Sequence, residues 1–352
     1  MKKTIPLICI CILLLAGCTL GENQEKNSET TAESIPSETK DFFAMDTYMS
    51  VTAYGTNAEK AVEQAKTRVE ELDDMLSTGK EDSEVSKLNV SSAAKLSEDA
   101  FYLMKKALEI CDETDGAFNP AIYPLMELWG FTTGDYRIPK EKEIKKLLAN
   151  MNPGDITLNE DTKKVAFEKN GMKVDFGGIA KGYTSAEIMN IFKENGVESG
   201  MVSLGGNVQV LGRKTDGSLW KVAIQNPNSE EEYLGILETE DKAVITSGGY
   251  ERYFEKDGTT YHHILDPSTG KPAENGLTSV TIVSTDGVLA DGLSTALFVM
   301  GTEKAKEFWR NHQEEFEVIL YTDDGKLLIS EGLEASFDSD YEVEVIRNGE
   351  TR

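Results

Sequence analysis

Cysteine and histidine are scarce in this 352-residue chain, with four of the first and three of the second. That supply argues against a zinc site built from Cys and His. Positive charge is also short. Lys and Arg total 36 against 62 Asp and Glu, for a net charge of −26. Such a surface repels nucleic-acid phosphates and anionic lipid headgroups, which excludes both as partners by charge. There is no internal repeat and no phosphate-binding Walker motif. The one long apolar run, residues 5–16, is interrupted by Pro6. It is shorter than the roughly 20 residues a membrane-spanning helix needs.

That run is informative for another reason. Lys2 and Lys3 precede it, and it ends in "LAGC", with small residues at Ala16 and Gly17 before Cys18. This is the pattern of a secretory signal, and with Cys18 in that place it resembles a bacterial lipoprotein signal. The expectation is therefore a signal peptide over residues 1–17 and a lipidated Cys18, with palmitate among its acyl chains. The mature protein would be lipid-anchored to the cell membrane on its extracytoplasmic face. Cleavage removes Cys9 and Cys11, which leaves Cys111 without an internal disulfide partner. Residues 18–40 are polar, acidic and rich in Ser, Thr and Glu, as expected of a disordered tether. Folded structure is expected over 41–335, followed by a C-terminal tail at 336–352.

Within the folded part, residues 58–76 and 98–114 show helical apolar spacing, the second behind Ser97 as a cap. Residues 165–167 and 173–176 read as two strands around "KNG". A strand at 201–211 is broken by Gly205-Gly206, and further short strands run to 265. Helices cluster early and strands late, which predicts an α+β fold with mixed or antiparallel sheets and flanking helices rather than a doubly wound sheet.

Four segments could carry chemistry. In "ADGLSTALFVMG" (290–301) the spacing predicts a helix whose first turn carries Asp291, Ser294 and Thr295 on one face. Their oxygens suit a hard cation such as Mg²⁺, with substrate phosphates completing its shell. The same residues also fit a solvated first turn. "DFGGIAKGY" (175–183) leads through two glycines into a helix, a geometry that admits phosphate. It equally fits a tight turn beside a surface lysine. The letters DFG occur in kinases, but no kinase glycine loop or HRD segment accompanies them. "HHILDPSTG" (262–270) holds two histidines, and His263 is placed as a proton acceptor. "TDGAFNP" (114–120) is a helix end with Phe118 and Asn119 exposed to choice: ligand contact or core.

In this order, and together with "AMDTYMSV" (44–51), "LSTGKEDSEVSKLN" (76–89), "SLGGNVQVLG" (203–212) and "HHILDPSTGKP" (262–272), these segments resemble the FAD:protein FMN transferase (ApbE-like) family. The resemblance spans residues 44–330. It implies a single ApbE-like domain that cleaves FAD, places FMN through a phosphoester on a Thr or Ser of an exported acceptor protein, and releases AMP with Mg²⁺ or another hard divalent cation. It implies Asp291, Thr295 and the Ala180 carbonyl as metal ligands, with Ser294 nearby. The implied flavin site comprises Met45, Gly79, Ala117, Phe118, Asn119, Asp175, Gly177, Lys181, Tyr183 and Leu265. His263 and Asp291 are the implied catalytic residues. A flavin-binding lipoprotein that performs no transfer, and a metal-dependent FAD pyrophosphatase, stay open beside this reading.

Overall fold

The computed structural model describes residues 35–349. The expected signal segment and Cys18 lie outside them. The described part opens with a hairpin of β1 (Ser37–Ala44) and β2 (Thr47–Tyr54). β1 therefore begins inside the stretch expected as tether. Ser37–Lys40 carry few apolar atoms, but their backbones pair in register with residues 51–54 of β2. Main-chain pairing orders them where side-chain burial could not. The connecting Met45 and Asp46 take φ of 48° and 58°, the left-handed turn geometry usually left to Asn or Gly.

α1 (Ala58–Leu76) buries the apolar stripe its spacing predicts. α2 (Glu84–Ser91) starts on the Ser83 hydroxyl, β3 (Ala93–Lys95) follows, and α3 (Glu98–Glu113) starts on Ser97, whose hydroxyl accepts from the Ala100 amide at 3.3 Å. α4 (Tyr123–Trp129) and α5 (Glu141–Leu148) then lead to β4 (Ile156–Asn159) and β5 (Lys164–Phe167). β5 pairs with β4 and β3, not with residues 173–176. The expected second strand is irregular because Asn89 takes a strand partner's place: its Nδ2 donates to the Val174 carbonyl (2.9 Å) and its Oδ1 accepts from the Val174 amide (2.7 Å).

α6 (Ala180–Glu194) precedes β6 (Ser199–Leu204) and β7 (Asn207–Leu211), which are joined by Gly205 and Gly206 at φ of 61° and 93°. β8 (Trp220–Asn226) and β9 (Ser229–Thr239) form a hairpin beside the main sheet. β10 (Ala243–Gly248) is followed by two small hairpins, β11 (Tyr253–Lys256) with β12 (Thr259–His262), and β13 (Leu265–Asp266) with β14 (Lys271–Pro272). β15 (Leu277–Ser284), α7 (Gly287–Met300), α8 (Thr302–His312), β16 (Glu317–Thr322) and β17 (Leu327–Ser330) follow. The chain then adds β18 (Phe337–Asp338) and β19 (Val343–Ile346).

Nine strands make the main sheet, in the order β1-β2-β6-β7-β10-β15-β16-β17-β19. Neighbours are antiparallel except for the parallel pair β17–β19. This is the α+β arrangement expected. The segment expected as a tail is instead structural: β18 extends the β8–β9 hairpin and β19 closes the main sheet. Its alternation explains why, since Tyr341, Val343 and Val345 share one face and pack against an apolar cluster.

α6 and α7 pack against each other, and α7 lies on β10 and β15. At the crossing of Gly182 with Gly287 the two backbones meet with no room for a side chain. A Cβ at Gly182 would overlap the Gly287 carbonyl oxygen and come within 2.6 Å of Asp291 Cβ. Gly182→Ala should therefore destabilise the protein by about 1–3 kcal/mol, the usual cost of overpacking, visible as an earlier midpoint in urea. An unchanged midpoint would mean the helices can separate freely.

Candidate active site

α7 begins at Gly287, not at Ala290. Asp286 caps it, with Oδ1 accepting from the Val288 and Leu289 amides at 2.9 and 3.1 Å. Asp291 thus stands in the second turn, and it is buried, with 4% of its surface exposed. The solvated-turn reading fails on that burial. Both carboxylate oxygens are held: Gly182 N–H donates to Oδ2 (2.8 Å) and Asn207 Nδ2 to Oδ1 (3.0 Å). Burial pushes the Asp291 carboxyl above the usual range, while Lys181, the Gly182 amide and Asn207 pull it back.

Ser294 is not free to ligate. It has 0% exposure, and its hydroxyl donates to the Asp291 carbonyl at 2.8 Å. Its oxygen is 2.8 Å from Ser247 Oγ, which is also 3.2 Å from Thr295 Oγ1. Each hydroxyl has one proton. Ser294 spends its proton on Asp291, so Ser247 donates to Ser294 and Thr295 donates to Ser247. That leaves the lone pairs of Thr295 Oγ1 unclaimed. Thr295 also faces the glycine corner: a Cβ on Gly178 would sit 3.5 Å from its Oγ1. Ala180 opens α6 between these contacts. Its carbonyl accepts the Thr184 hydroxyl at 2.8 Å, a bond that a cation would share or displace.

This donor set fits a hard cation. It offers one buried carboxylate, one hydroxyl with open lone pairs and one carbonyl, all oxygen. A buried carboxylate facing only neutral donors in direct contact gains from a cation beside it. Among the described residues no cluster of three His, Cys, Asp or Glu side chains could hold a metal by itself. An ion held here would need further oxygens from a ligand, as Mg²⁺ takes from phosphates.

The residues implied for flavin divide. Phe118 is buried, and its ring lies 3.0 Å from a Cβ placed on Gly178. Gly177 N–H donates to the Asp175 carboxylate. Burial raises the Asp175 carboxyl, while that amide and nearby Arg252 lower it. Gly79 is exposed next to Thr78, which shares a hydrogen bond with Tyr123, and Tyr123 is close enough to Asp175 to feel its charge. Met45 Sδ lies 3.6 Å from Thr184 Oγ1, whose proton goes to the Ala180 carbonyl, so the β1–β2 turn reaches the start of α6. Ala117 is half-buried on the same loop, and Leu265 is buried in the core. The Asn119 side chain is committed, accepting from the Ala121 amide (2.8 Å) and donating to the Met151 carbonyl (3.1 Å). Tyr183 points elsewhere: its hydroxyl donates to Asp99, which also pairs with Arg68 at 2.5 Å. Lys181, two residues earlier and so on the other side of the helix, is the one whose charge reaches Asp291, Glu251 and His263.

His263 sits just past β12. Its amide and its Nδ1 both lie against the Arg252 carbonyl, at 3.0 and 3.1 Å. A carbonyl only accepts, so Nδ1 carries the proton and Nε2 of the neutral ring is a bare acceptor. Desolvation holds His263 down at about 4, with the Arg252 carbonyl opposing and the Arg252, His262 and Lys181 charges adding to the shift. The Phe131 ring meets the imidazole edge-on at 6.4 Å between centroids. The Arg252 guanidinium donates to the Phe131 carbonyl, which ties both neighbours of the ring together. The following segment turns as its sequence indicates: Asp266 Oδ1 accepts from the Ser268 amide (2.8 Å) and hydroxyl (2.7 Å), and Trp129 Nε1 donates to the Gly270 carbonyl (2.8 Å).

Four residues join the site without having been singled out: Asn207, Ser247, Glu251 and Arg252. Glu251 is open to solvent on one side. Protein still crowds its carboxyl enough to push it up to about 7, with Lys181 opposing and Asp291 adding. Only "GGN" carried a local signal, a tight turn ending on an amide side chain. A surface cavity of about 410 Å³ between Thr302 and Lys326 contains none of these groups.

The chain matches the profile of the ApbE family over residues 45–320. It is 34% identical over 282 residues to a FAD:protein FMN transferase of Klebsiella pneumoniae, covering 78% of this chain and 87% of that one. A FAD:protein FMN transferase of Vibrio cholerae is 32% identical over 320 residues, covering 89% and 92%. Among solved structures, the ApbE protein of Thermotoga maritima superimposes with a TM-score of 0.81 at 32% identity, over 86% of this chain and 99% of that one. The flavin transferase ApbE of Vibrio cholerae gives 0.75 at 28% identity, over 86% and 100%. With the profile spanning most of the chain, and relatives above 30% identity matched over most of their length, the chain belongs to the ApbE family.

Proposed function

We propose that this protein moves the FMN part of FAD onto a Thr or Ser hydroxyl of a separate exported protein and releases AMP, with Mg²⁺ or a similar hard divalent cation. The observation that carries the reading is a buried carboxylate, Asp291, held by the Gly182 amide at the start of α6, with the open hydroxyl of Thr295 facing the glycine corner. Lys181 places its charge within reach of both Asp291 and the neutral His263 with its bare Nε2. The relatives named FAD:protein FMN transferase supply the substrate.

In this reading Asp291 and Thr295, with the Ala180 carbonyl, would hold the cation. When bound, it would neutralise charge on the pyrophosphate oxygens. The glycine corner lets the backbone approach the phosphates, and Lys181 adds positive charge beside them. Met45, Gly79, Ala117, Phe118 and Asp175 border the flavin half. The acceptor oxygen forms a bond to the phosphorus of the FMN half. The bond from that phosphorus to the bridging oxygen breaks, and AMP leaves with the bridging oxygen. The hydroxyl proton goes to His263 Nε2. Lipidation at Cys18 would hold the enzyme on the extracytoplasmic face of the membrane, where exported acceptors emerge; the "LAGC" segment supports this part.

The expected result of incubating the protein with FAD, Mg²⁺ and an exported acceptor is AMP and flavin-labelled acceptor in equal amounts, read by chromatography and mass spectrometry. AMP with free FMN and no labelled acceptor would make it a pyrophosphatase. Intact FAD would make it a carrier.

A further inference from the structure

Asp291 cannot choose its own orientation. It stands on α7, and the groups that hold its two oxygens come from other elements: Gly182 N–H from α6, and Asn207 Nδ2 from the first residue of β7. Asn207 is itself buried, at 1% exposure. It reaches this place because the two-residue Gly205-Gly206 turn reverses the chain at once, pairing Leu204 with Asn207 at the end of the hairpin. Its side chain then points from the sheet into the seam between α6 and α7. The partner is a carboxylate, which accepts only, so the amide end of Asn207 that faces it is the NH₂.

We infer that Asn207 is a positioning residue for the metal-binding carboxylate. It fixes Asp291 in the one rotamer that leaves its remaining lone pairs facing Thr295 and the start of α6. The inference rests on the cation reading given above for Asp291. A carboxylate that takes one N–H on each oxygen keeps its full charge and loses its freedom to rotate. Outer partners of this kind set ligand direction and metal affinity. A charged donor in the same place would cancel the charge the cation needs. An amide orients without cancelling. Two residues on, Gln209 faces the same seam. Its Oε1 accepts from the Ser185 hydroxyl at 2.6 Å, and it makes no hydrogen bond to Asp291. It is a built-in control for buried polar packing.

The test uses the whole protein and Mn²⁺ alone as the probe, with the free ion followed by electron paramagnetic resonance. Asn207→Leu keeps the branched outline of the side chain and removes the donor, at the cost of two bulkier methyl groups. It should weaken Mn²⁺ binding roughly 10–100-fold, the usual effect of losing an outer partner. It should raise the Mg²⁺ concentration needed for half-maximal transfer by a similar factor, with kcat at saturating Mg²⁺ changed far less. Asn207→Ala should do the same, and serves if the leucine variant does not fold. Gln209→Met should lower thermal stability and leave Mn²⁺ affinity within about twofold, as a site outside the network does. If the Asn207 variants bind Mn²⁺ as wild type does, or if Gln209→Met weakens binding equally, Asn207 is only packing and the inference fails. If Asp291→Ala binds Mn²⁺ as well as wild type, the cation reading itself fails, and this inference with it.

Discussion

Asp291→Ala is expected to lower metal-dependent transfer by about 10³-fold or more, equal to roughly 4 kcal/mol of transition-state stabilisation. The effect should be large because the site has no second carboxylate to compensate in the same place. Among the described residues no acidic cluster forms a metal-binding group, and Glu251 lies near enough to feel Asp291 without a hydrogen bond to it. The fold should persist. Removing the side chain strands the Gly182 amide and the Asn207 NH₂, at about 1–3 kcal/mol each at most. It also removes a carboxylate whose charge burial opposes, which offsets part of that loss. Asp291→Asn separates charge from shape: it keeps the packing and should lose the activity. The measurement is initial rate against Mg²⁺ concentration, with circular dichroism as the fold control. Either variant working within tenfold of wild type at any Mg²⁺ level would remove Asp291 from the chemistry.

His263→Ala should lower kcat by about 10²–10⁴-fold, the range for loss of a general base, with FAD affinity nearly unchanged. A variant that lost affinity but kept kcat would make His263 a binding residue. The pH dependence follows from direction. Free histidine titrates near 6.5, and the fold holds His263 at about 4, so the ring is neutral and able to accept a proton across the neutral range. Transfer should therefore show no loss from His263 protonation between about pH 7.5 and 6, where an unperturbed histidine would begin to titrate. Stability runs the same way. As pH falls below 6.5 the unfolded chain takes up the proton first, so this residue's contribution drains from stability until about pH 4. His262 is shifted downward too, again chiefly by burial. Comparing melting temperatures of wild type and His263→Ala between pH 7 and 4.5 isolates the His263 part. The wild type should lose ground to the variant as acid is added.

Much of the fold is legible in the sequence. Helices α1 and α3 follow directly from apolar spacing, and the Ser97 cap lies where a capping residue should. The pairing of "DFGGIAKGY" with "ADGLSTALFVMG" comes from the family resemblance, since the residues alone leave each segment a plain turn as an alternative. What stayed hidden has physical causes. Apolar spacing places the start of α7 too late because Gly287 is a poor helix former and the first turn is held by Asp286, through its side chain and its carbonyl. Residues 173–176 look like a strand, yet Asn89 satisfies their backbone through a side chain, which no periodicity records. Tyr183 and Lys181 share a motif but not a face, since two residues along a helix turn side chains to nearly opposite sides. Asn207 follows a readable glycine turn, but Ser247 on β10 and Glu251 in the bend after it carry no local mark. The pairing of β7 with β10 in the sheet, which periodicity does not record, brings Asn207 and Ser247 to the same side of α7.

The bare contact of Gly182 with Gly287 makes the starts of α6 and α7 one mechanical part. A chimera that imported α6 from a distant homologue while keeping α7 would inherit mismatched spacing at that crossing. The misfit would be delivered straight to Asp291 through its neighbour's amide. A bulkier residue on one side of this seam fits only with a matching retreat on the other.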